Sequence, residues 1–266
     1  MSIIVALSGG RASAWCADWA FRNYPKDDII LYFNDTKWEH EDLYRFLSDL
    51  SQHFNHPVTF DSDGRNPEEL FYDHNALANN RMPFCSHELK AERLQKFYRD
   101  GDTLVFGIGA SEPHRATRIA SVYDGISKKT GKRVTLRFPL VSERVTKKQI
   151  DDFLADAGIK EPLLYSLGFS HNNCSGGCVR AGKKQWKMLY EKLPEVYADR
   201  ERVENEFREF TGKDVSFFKD ETLTEFRKRV ERGDLSRHYA SDIVDGQLGM
   251  FDETEFECIG VCSTLA

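Results

Sequence analysis

At 266 residues, with 40% apolar and 12% aromatic side chains, the chain can bury a core the size of one large α/β domain carrying a helical appendage, and its 30% charged residues describe a folded surface rather than a disordered one. A net charge of −6 excludes a global attraction to polyanions, so any nucleic-acid contact needs a local basic patch. No run approaches the roughly 20 apolar residues of a membrane span, and the chain opens on a short β-type stretch rather than a signal peptide, so the expected location is cytoplasmic, with no membrane partner.

The first element is the apolar run Ile3 to Leu7, stopped by Ser8-Gly9-Gly10 and followed by a helical stretch from Ser13 to Arg22. A second strand, Ile29 to Phe33, ends at Asn34-Asp35-Thr36 and leads into an amphipathic helix over Glu39 to Phe54, with Leu43, Phe46, Leu47 and Leu50 on one face. Val58-Thr59-Phe60 is a third strand. A helix over Cys85 to Tyr98 precedes a fourth strand at Thr103 to Ile108, and Leu136 to Leu140 supplies a fifth. From Thr146 onward the pattern is helical, over Gln149 to Ala157, Lys183 to Leu193, Pro194 to Thr211 and Thr222 to Arg232. Alternating strands and helices predict a mainly parallel, five-stranded, doubly wound sheet over residues 1–145, with a helical C-terminal region over 146–266 that carries a cysteine loop and a cysteine-containing tail.

Ligands of such sheets bind beyond the carboxyl ends of the strands, where the Ser-Gly-Gly turn and the Asn34-Asp35-Thr36 cluster fall. The turn over Ser8-Gly9-Gly10-Arg11-Ala12-Ser13 joins a buried strand to a helix. It presents backbone N–H groups and the positive end of a helix dipole to an anion, and Ser8 and Ser13 add hydroxyls. It has neither the Gly-Lys-Ser/Thr ending of a Walker loop nor the G-x-G-x-x-G spacing of a dinucleotide loop, and a plain tight turn is the alternative.

Six cysteines stand at 16, 85, 174, 178, 258 and 262. Without a secretory signal, clustered cysteines read as metal ligands or redox groups before structural disulfides. Asn173-Cys174-Ser175-Gly176-Gly177-Cys178 brings two soft ligands together on a glycine loop, which suits iron–sulfur or zinc; a redox disulfide or two unrelated thiols are the alternatives. Cys16 reads as a core residue of the first helix. His87, His114 and His171 lie beside these motifs and could act as acid, base or ligand. Arg180, Lys183, Lys184, Trp186 and Lys187 form a basic, aromatic-bearing stretch, the one place where a nucleic-acid contact could be argued, with a solvated helix face as the competing reading.

Ser8-Gly9-Gly10-Arg11-Ala12-Ser13 resembles the Ser-Gly-Gly-x-Asp-Ser loop of the PP-loop ATP pyrophosphatases, with Ala12 in place of the usual acid. Phe33-Asn34-Asp35-Thr36 is similar to the segment of that superfamily that borders the adenine. Cys85-Ser86-His87-Glu88-Leu89-Lys90 resembles the Cys-Cys-x-x-Arg-Lys segment of the sulfonucleotide reductases, Gly107-Ile108-Gly109-Ala110-Ser111-Glu112-Pro113-His114-Arg115 their Gly-Ile-Arg-x-x-Glu-x-x-Arg segment, and Phe138-Pro139-Leu140 carries their Pro-Leu. The chain is thereby identified as a member of the PP-loop superfamily, of the phosphoadenosine phosphosulfate reductase-like branch.

The resemblance implies a PP-loop fold binding ATP with magnesium through Ser8, Gly9, Gly10, Arg11, Ser13, Phe33, Asn34, Asp35, Thr36 and Gly107, with Arg11, Lys90 and Arg115 as cations for the phosphates. It implies Cys85 as a third ligand beside Cys174 and Cys178, for a [4Fe–4S] cluster or, alternatively, zinc. It gives the tail Glu257-Cys258-Ile259-Gly260-Val261-Cys262 a faint likeness to the reductases' nucleophilic Glu-Cys-Gly-Leu-His, without the histidine. The expected function is ATP-dependent adenylation coupled to sulfur transfer. The alternatives are thiol-dependent reduction of a sulfonucleotide by Cys258 or Cys262, and a non-catalytic nucleotide-binding defence or regulatory protein. Expected partners are an adenine nucleotide, a sulfur donor or thioredoxin-like reductant, a nucleic-acid acceptor and a second copy of the chain.

Overall fold

A computed structural model describes residues 1–79 and 81–234 of the chain. Five strands, β1 (Ile3–Leu7), β2 (Ile29–Asn34), β3 (Val58–Asp61), β4 (Thr103–Phe106) and β5 (Thr135–Arg137), form one parallel sheet in the order β3-β2-β1-β4-β5. Every residue of β1 is buried, as expected of a central strand covered on both faces. Ile3, Val5 and Leu7 point into one apolar layer with α1 (Arg11–Asn23) and α2 (Glu41–Phe54), whereas Ile4 and Ala6 point into the opposite layer. The chain leaves β1 toward β2 on one side and returns to β4 on the other, so a topological switch point lies at the carboxyl ends of β1 and β4.

The opposite layer is built by α5 (Glu92–Phe97) and α6 (Pro113–Thr130), through Leu94, Ala116, Ile119 and Tyr123. Helix α6 has Pro113 at its start and Gly131 as a left-handed C-cap, the usual signals of a helix's two ends, and lies outside the helices expected from the sequence. A short α3 (Pro67–Asp73), opened by an Asn66/Glu69 capping box, was likewise not expected. The helix expected over Cys85 to Tyr98 is α4 (Phe84–Ser86) running through a π-helical turn (His87–Ala91) into α5. The fifth strand is shorter than predicted: Pro139 cannot donate to a ladder and instead begins α7 (Pro139–Ser142).

After residue 145 the helices divide between two cores. Val145, Ile159 and Leu154 of α8 (Lys147–Asp156) pack with α1 and β1 in the sheet's own layer. A separate aromatic core gathers Trp38 and Phe71 with Leu164 of α9 (Leu163–Ser166), Trp186 of α10 (Lys183–Lys192), Tyr197 and Phe207 of α11 (Pro194–Thr211), and Phe226 of α12 (Leu223–Glu231). Among the described residues no helix is long and apolar enough to cross a membrane.

Candidate functional site

The Ser8–Ser13 loop closes on itself. Ser13 Oγ receives hydrogen bonds from Ser8 N (3.1 Å) and Ser8 Oγ (3.2 Å) and donates to Gly10 O (2.9 Å). Gly10 is the N-cap of α1, and no side chain caps that first turn, which leaves its N–H groups for an anion. Gly9 has φ +77°, and a Cβ there would meet Leu43 Cδ1 at 2.5 Å, so glycine is required by both conformation and space. Gly107, at the end of β4, packs its bare Cα against the start of α1.

Beside this loop opens a cavity of about 750 Å³, lined by Arg11, Gly109, Glu112, Arg144, Lys147, Asp151, Glu161, Tyr165 and His171 among others. Its volume is in the range of small-molecule sites. Arg11 reaches into it but is engaged by Asp151 (3.2 Å) and Glu161 (3.0 Å) and lies 4.2 Å over the Tyr165 ring, so its charge is already partly offset. Arg144 and Lys147 add positive charge that the motifs did not signal. Arg115 is buried and paired to Glu112 at 2.6 Å. His171 is buried, its Nδ1 has no hydrogen-bond partner among the described residues, and burial, then the charge of Arg115, lowers its pKa to about 4. It is therefore a neutral imidazole at physiological pH.

The residues expected to border the adenine lie at and beyond the carboxyl end of β2, which pairs with β1 through Leu7 and Phe33, and they do not line the 750 Å³ cavity. Phe33 is in the sheet core, Asn34 donates to the Tyr32 hydroxyl at 2.9 Å, and Asp35 accepts from Tyr44 Oη and Lys37 N at 2.8 Å each. Thr36 lines a second, small cavity of about 10 Å³ shared with Cys85, Cys174, Cys178, Lys90 and Arg180. Cysteines some 90 positions apart in sequence are thus brought to one cavity, and Lys90 lines it with them.

That cysteine cavity has an anchor that sequence reasoning missed. The almost fully buried carboxylate of Glu39 pairs with Lys90 Nζ (3.2 Å), accepts from Thr36 Oγ1 (3.0 Å), and accepts from the backbone N–H of Cys174 (2.7 Å). Ser175 Oγ donates to Trp38 O at 2.9 Å and Gln185 Nε2 to Gly176 O at 2.8 Å. Cys174 and Ser175 both take positive φ, 48° and 53°, a loop shape held from outside by these bonds. The hydrogen bond with Cys178 first, then burial, pushes the Cys174 thiol well above its ordinary pKa. Arg200 of α11 is buried, lies 3.6 Å over the Trp38 ring, and has an Nε without a hydrogen-bond partner among the described residues. Nothing in the local sequence marks Glu39 or Arg200, because their roles come from partners 135 positions away or on another helix.

The donor set fits a thiophilic metal or cluster in kind: three thiols at one cavity, with Lys90 and the orphaned N–H of buried Arg200 nearby to offset thiolate charge. Among the described residues, no group of three His, Cys, Asp or Glu stands in ligating geometry. Cys16 is remote from this cavity, in the sheet core with its thiol 3.7 Å from Phe106 O. Cys258 and Cys262 lie outside the described residues. In the basic stretch, Trp186 is buried and stacked on Phe217, and Lys183 pairs with Asp220 and Glu221 and Lys187 with Glu191, so the indole is unavailable to stack on a base.

A family model, the phosphoadenosine phosphosulfate reductase domain, matches residues 2–182. The matched span takes in all five strands, the Ser8–Ser13 loop and the cysteine loop, and stops before α10. No curated protein and no solved structure matches significantly.

Proposed function

Because this chain belongs to the phosphoadenosine phosphosulfate reductase domain family, we propose that it is an enzyme that binds ATP with magnesium and couples cleavage between its α and β phosphates to sulfur transfer at a cysteine centre. The observation that supports this reading is the meeting of Cys85, Cys174 and Cys178 at one small cavity beyond the carboxyl end of β2. A packed core has no need to bring three thiols and a lysine together, whereas a metal centre does.

The nucleotide's phosphates rest against the N-terminus of α1, with Ser8, Gly9, Gly10 and Ser13 shaping the loop. Arg11 exchanges Asp151 and Glu161 for the phosphates as charge develops on them, with Arg144 and Lys147 at the cavity wall. Cys85, Cys174 and Cys178 would hold the cluster, or zinc as the alternative, each as a thiolate. Glu39 fixes the cysteine loop through the Cys174 N–H, and Lys90 and Arg200 offset the thiolate charge. A [4Fe–4S] cluster held by three thiolates would supply an open iron site with Lewis-acid character for a sulfur atom. The sulfur acceptor is a small molecule or a nucleic acid, and the partner copy of a homodimer belongs to the same proposal.

The test is anaerobic purification of the full chain, with iron, sulfide and zinc analysis, an absorption spectrum, and assay of AMP and pyrophosphate release from ATP with candidate acceptors. Bound iron and sulfide that disappear in Cys85→Ser, together with acceptor-dependent pyrophosphate release, support the reading. The result that overturns it is a metal-free protein that releases AMP or adenosine bisphosphate from a sulfonucleotide without ATP and carries a thiosulfonate adduct on Cys258 or Cys262. That outcome assigns the reductase activity, with a thioredoxin-like partner to regenerate the thiol.

A further inference from the structure

The segment just before the cysteine loop touches the phosphate loop directly. Asn172, buried, donates from Nδ2 to the carbonyl oxygen of Gly9 at 2.8 Å across 163 positions of sequence. Two residues later Cys174 is fixed by Glu39, so the anchor of Asn172 does not drift.

The bond matters because of what it holds. Consecutive glycines form a peptide unit with little steric resistance to rotation, since neither residue has a Cβ to disfavour the alternative φ and ψ values. Within a trans peptide the C=O and the next N–H point in opposite directions. If the Gly9–Gly10 peptide turned over, its carbonyl oxygen would face the anion at the mouth of α1 and repel it. With the Gly9 oxygen held by Asn172, the Gly10 N–H faces the other way. Its contact inside the protein is a long one, 3.4 Å to Ser8 Oγ, which a stronger acceptor would replace.

We propose that Asn172 is a positioning residue for the phosphate loop: by clamping the Gly9 carbonyl it locks the Gly9–Gly10 peptide in the orientation that presents the Gly10 N–H to a nucleotide phosphate. This rests on the reading of the loop as a nucleotide site. It also makes residues 172–178 one strap serving both sites, with its amide on the phosphate loop and its thiols in the cysteine cavity.

The test compares adenosine with AMP by calorimetric titration of the full chain. The two probes share base and ribose and differ by the phosphate, so a merely structural defect weakens both alike. Wild type is expected to bind AMP more tightly than adenosine. Asn172→Leu, of similar size with no donor, and Asn172→Asp, of the same shape with no amide N–H, should each weaken AMP by about ten-fold, the effect of one buried hydrogen bond and the group it leaves unsatisfied, with adenosine affinity unchanged. Thermal unfolding of both variants, read alongside, identifies the folded protein on which the comparison is made. Equal losses for both probes in a folded variant, or no loss for AMP, overturn the proposal. A wild type with no preference for AMP over adenosine instead overturns the nucleotide reading itself, and Asn172's role falls with it.

Discussion

Replacing Gly107 by alanine tests whether the first helix and the fourth strand must touch for the loop to take its shape. A Cβ at 107 would stand 2.8 Å from the backbone N of Ser13, 3.0 Å from the carbonyl carbon of Ala12 and 3.0 Å from Ser13 Cα, where ordinary contact begins near 3.4 Å. All three atoms are backbone at the start of α1, so no side chain can swing aside. The helix end must withdraw by roughly half an ångström or the strand end must bend, an overpacking strain of about 1–3 kcal/mol. For a chain of this size that lowers Tm by roughly 2–5 °C. The displaced atoms belong to the Ser8–Ser13 loop, the proposed phosphate site, so AMP affinity should fall together with stability. Gly109→Ala is the internal control, because its Cβ would come no closer than 3.7 Å to anything, and the neighbours are the flexible ends of Glu112 and Ser111. Thermal melts and AMP titrations of both variants check the reasoning. If Gly107→Ala melts and binds like Gly109→Ala, close packing of α1 on β4 does not shape the site.

Cys174→Ser should abolish metal binding and loosen the 172–178 segment, whereas Cys16→Ser, away from the cysteine cavity in the sheet core, should keep full metal content by elemental analysis. Glu204, fully buried in α11, accepts from Phe217 N (2.8 Å) on one oxygen and from Leu223 N (2.6 Å) on the other, and burial outweighs these bonds to raise its pKa from 4.5 to about 7. A carboxyl whose folded pKa lies above its unfolded value contributes stability that is fully present below about pH 4.5 and is lost as the pH rises through about 7, here on the order of 3 kcal/mol. Melts from pH 5 to 8 should therefore show the Tm gap between wild type and Glu204→Gln narrowing as pH rises, since glutamine does not titrate; a constant gap would refute the shift.

The sequence by itself determined the elements that depend on neighbours along the chain. The run Ile3 to Leu7 is a strand buried on both faces, the amphipathic spacing of Leu43, Phe46, Leu47 and Leu50 forms one buried helix face, and the glycine turn after β1 is a helix-capping loop. Their alternation sufficed for a parallel, doubly wound sheet, and the loop motifs in register along that sheet sufficed for the family. Local pattern carries this information because hydrophobic period and turn chemistry act over a few residues.

Tertiary structure alone decided which side chains meet. It placed Lys90 with the cysteines, committed Arg11 to Asp151 and Glu161, and buried Trp186 against Phe217, although each of these residues reads by spacing as a free cation or an exposed ring. It also set Glu39 under Cys174 and Asn172 on Gly9, contacts spanning 135 and 163 positions that no local pattern encodes. The physical reason is that buried charges and buried amides must find partners in three dimensions once water is removed. Which partner each one finds depends on how the largely irregular segment from 167 to 182 lies against the Ser8–Ser13 loop and Glu39.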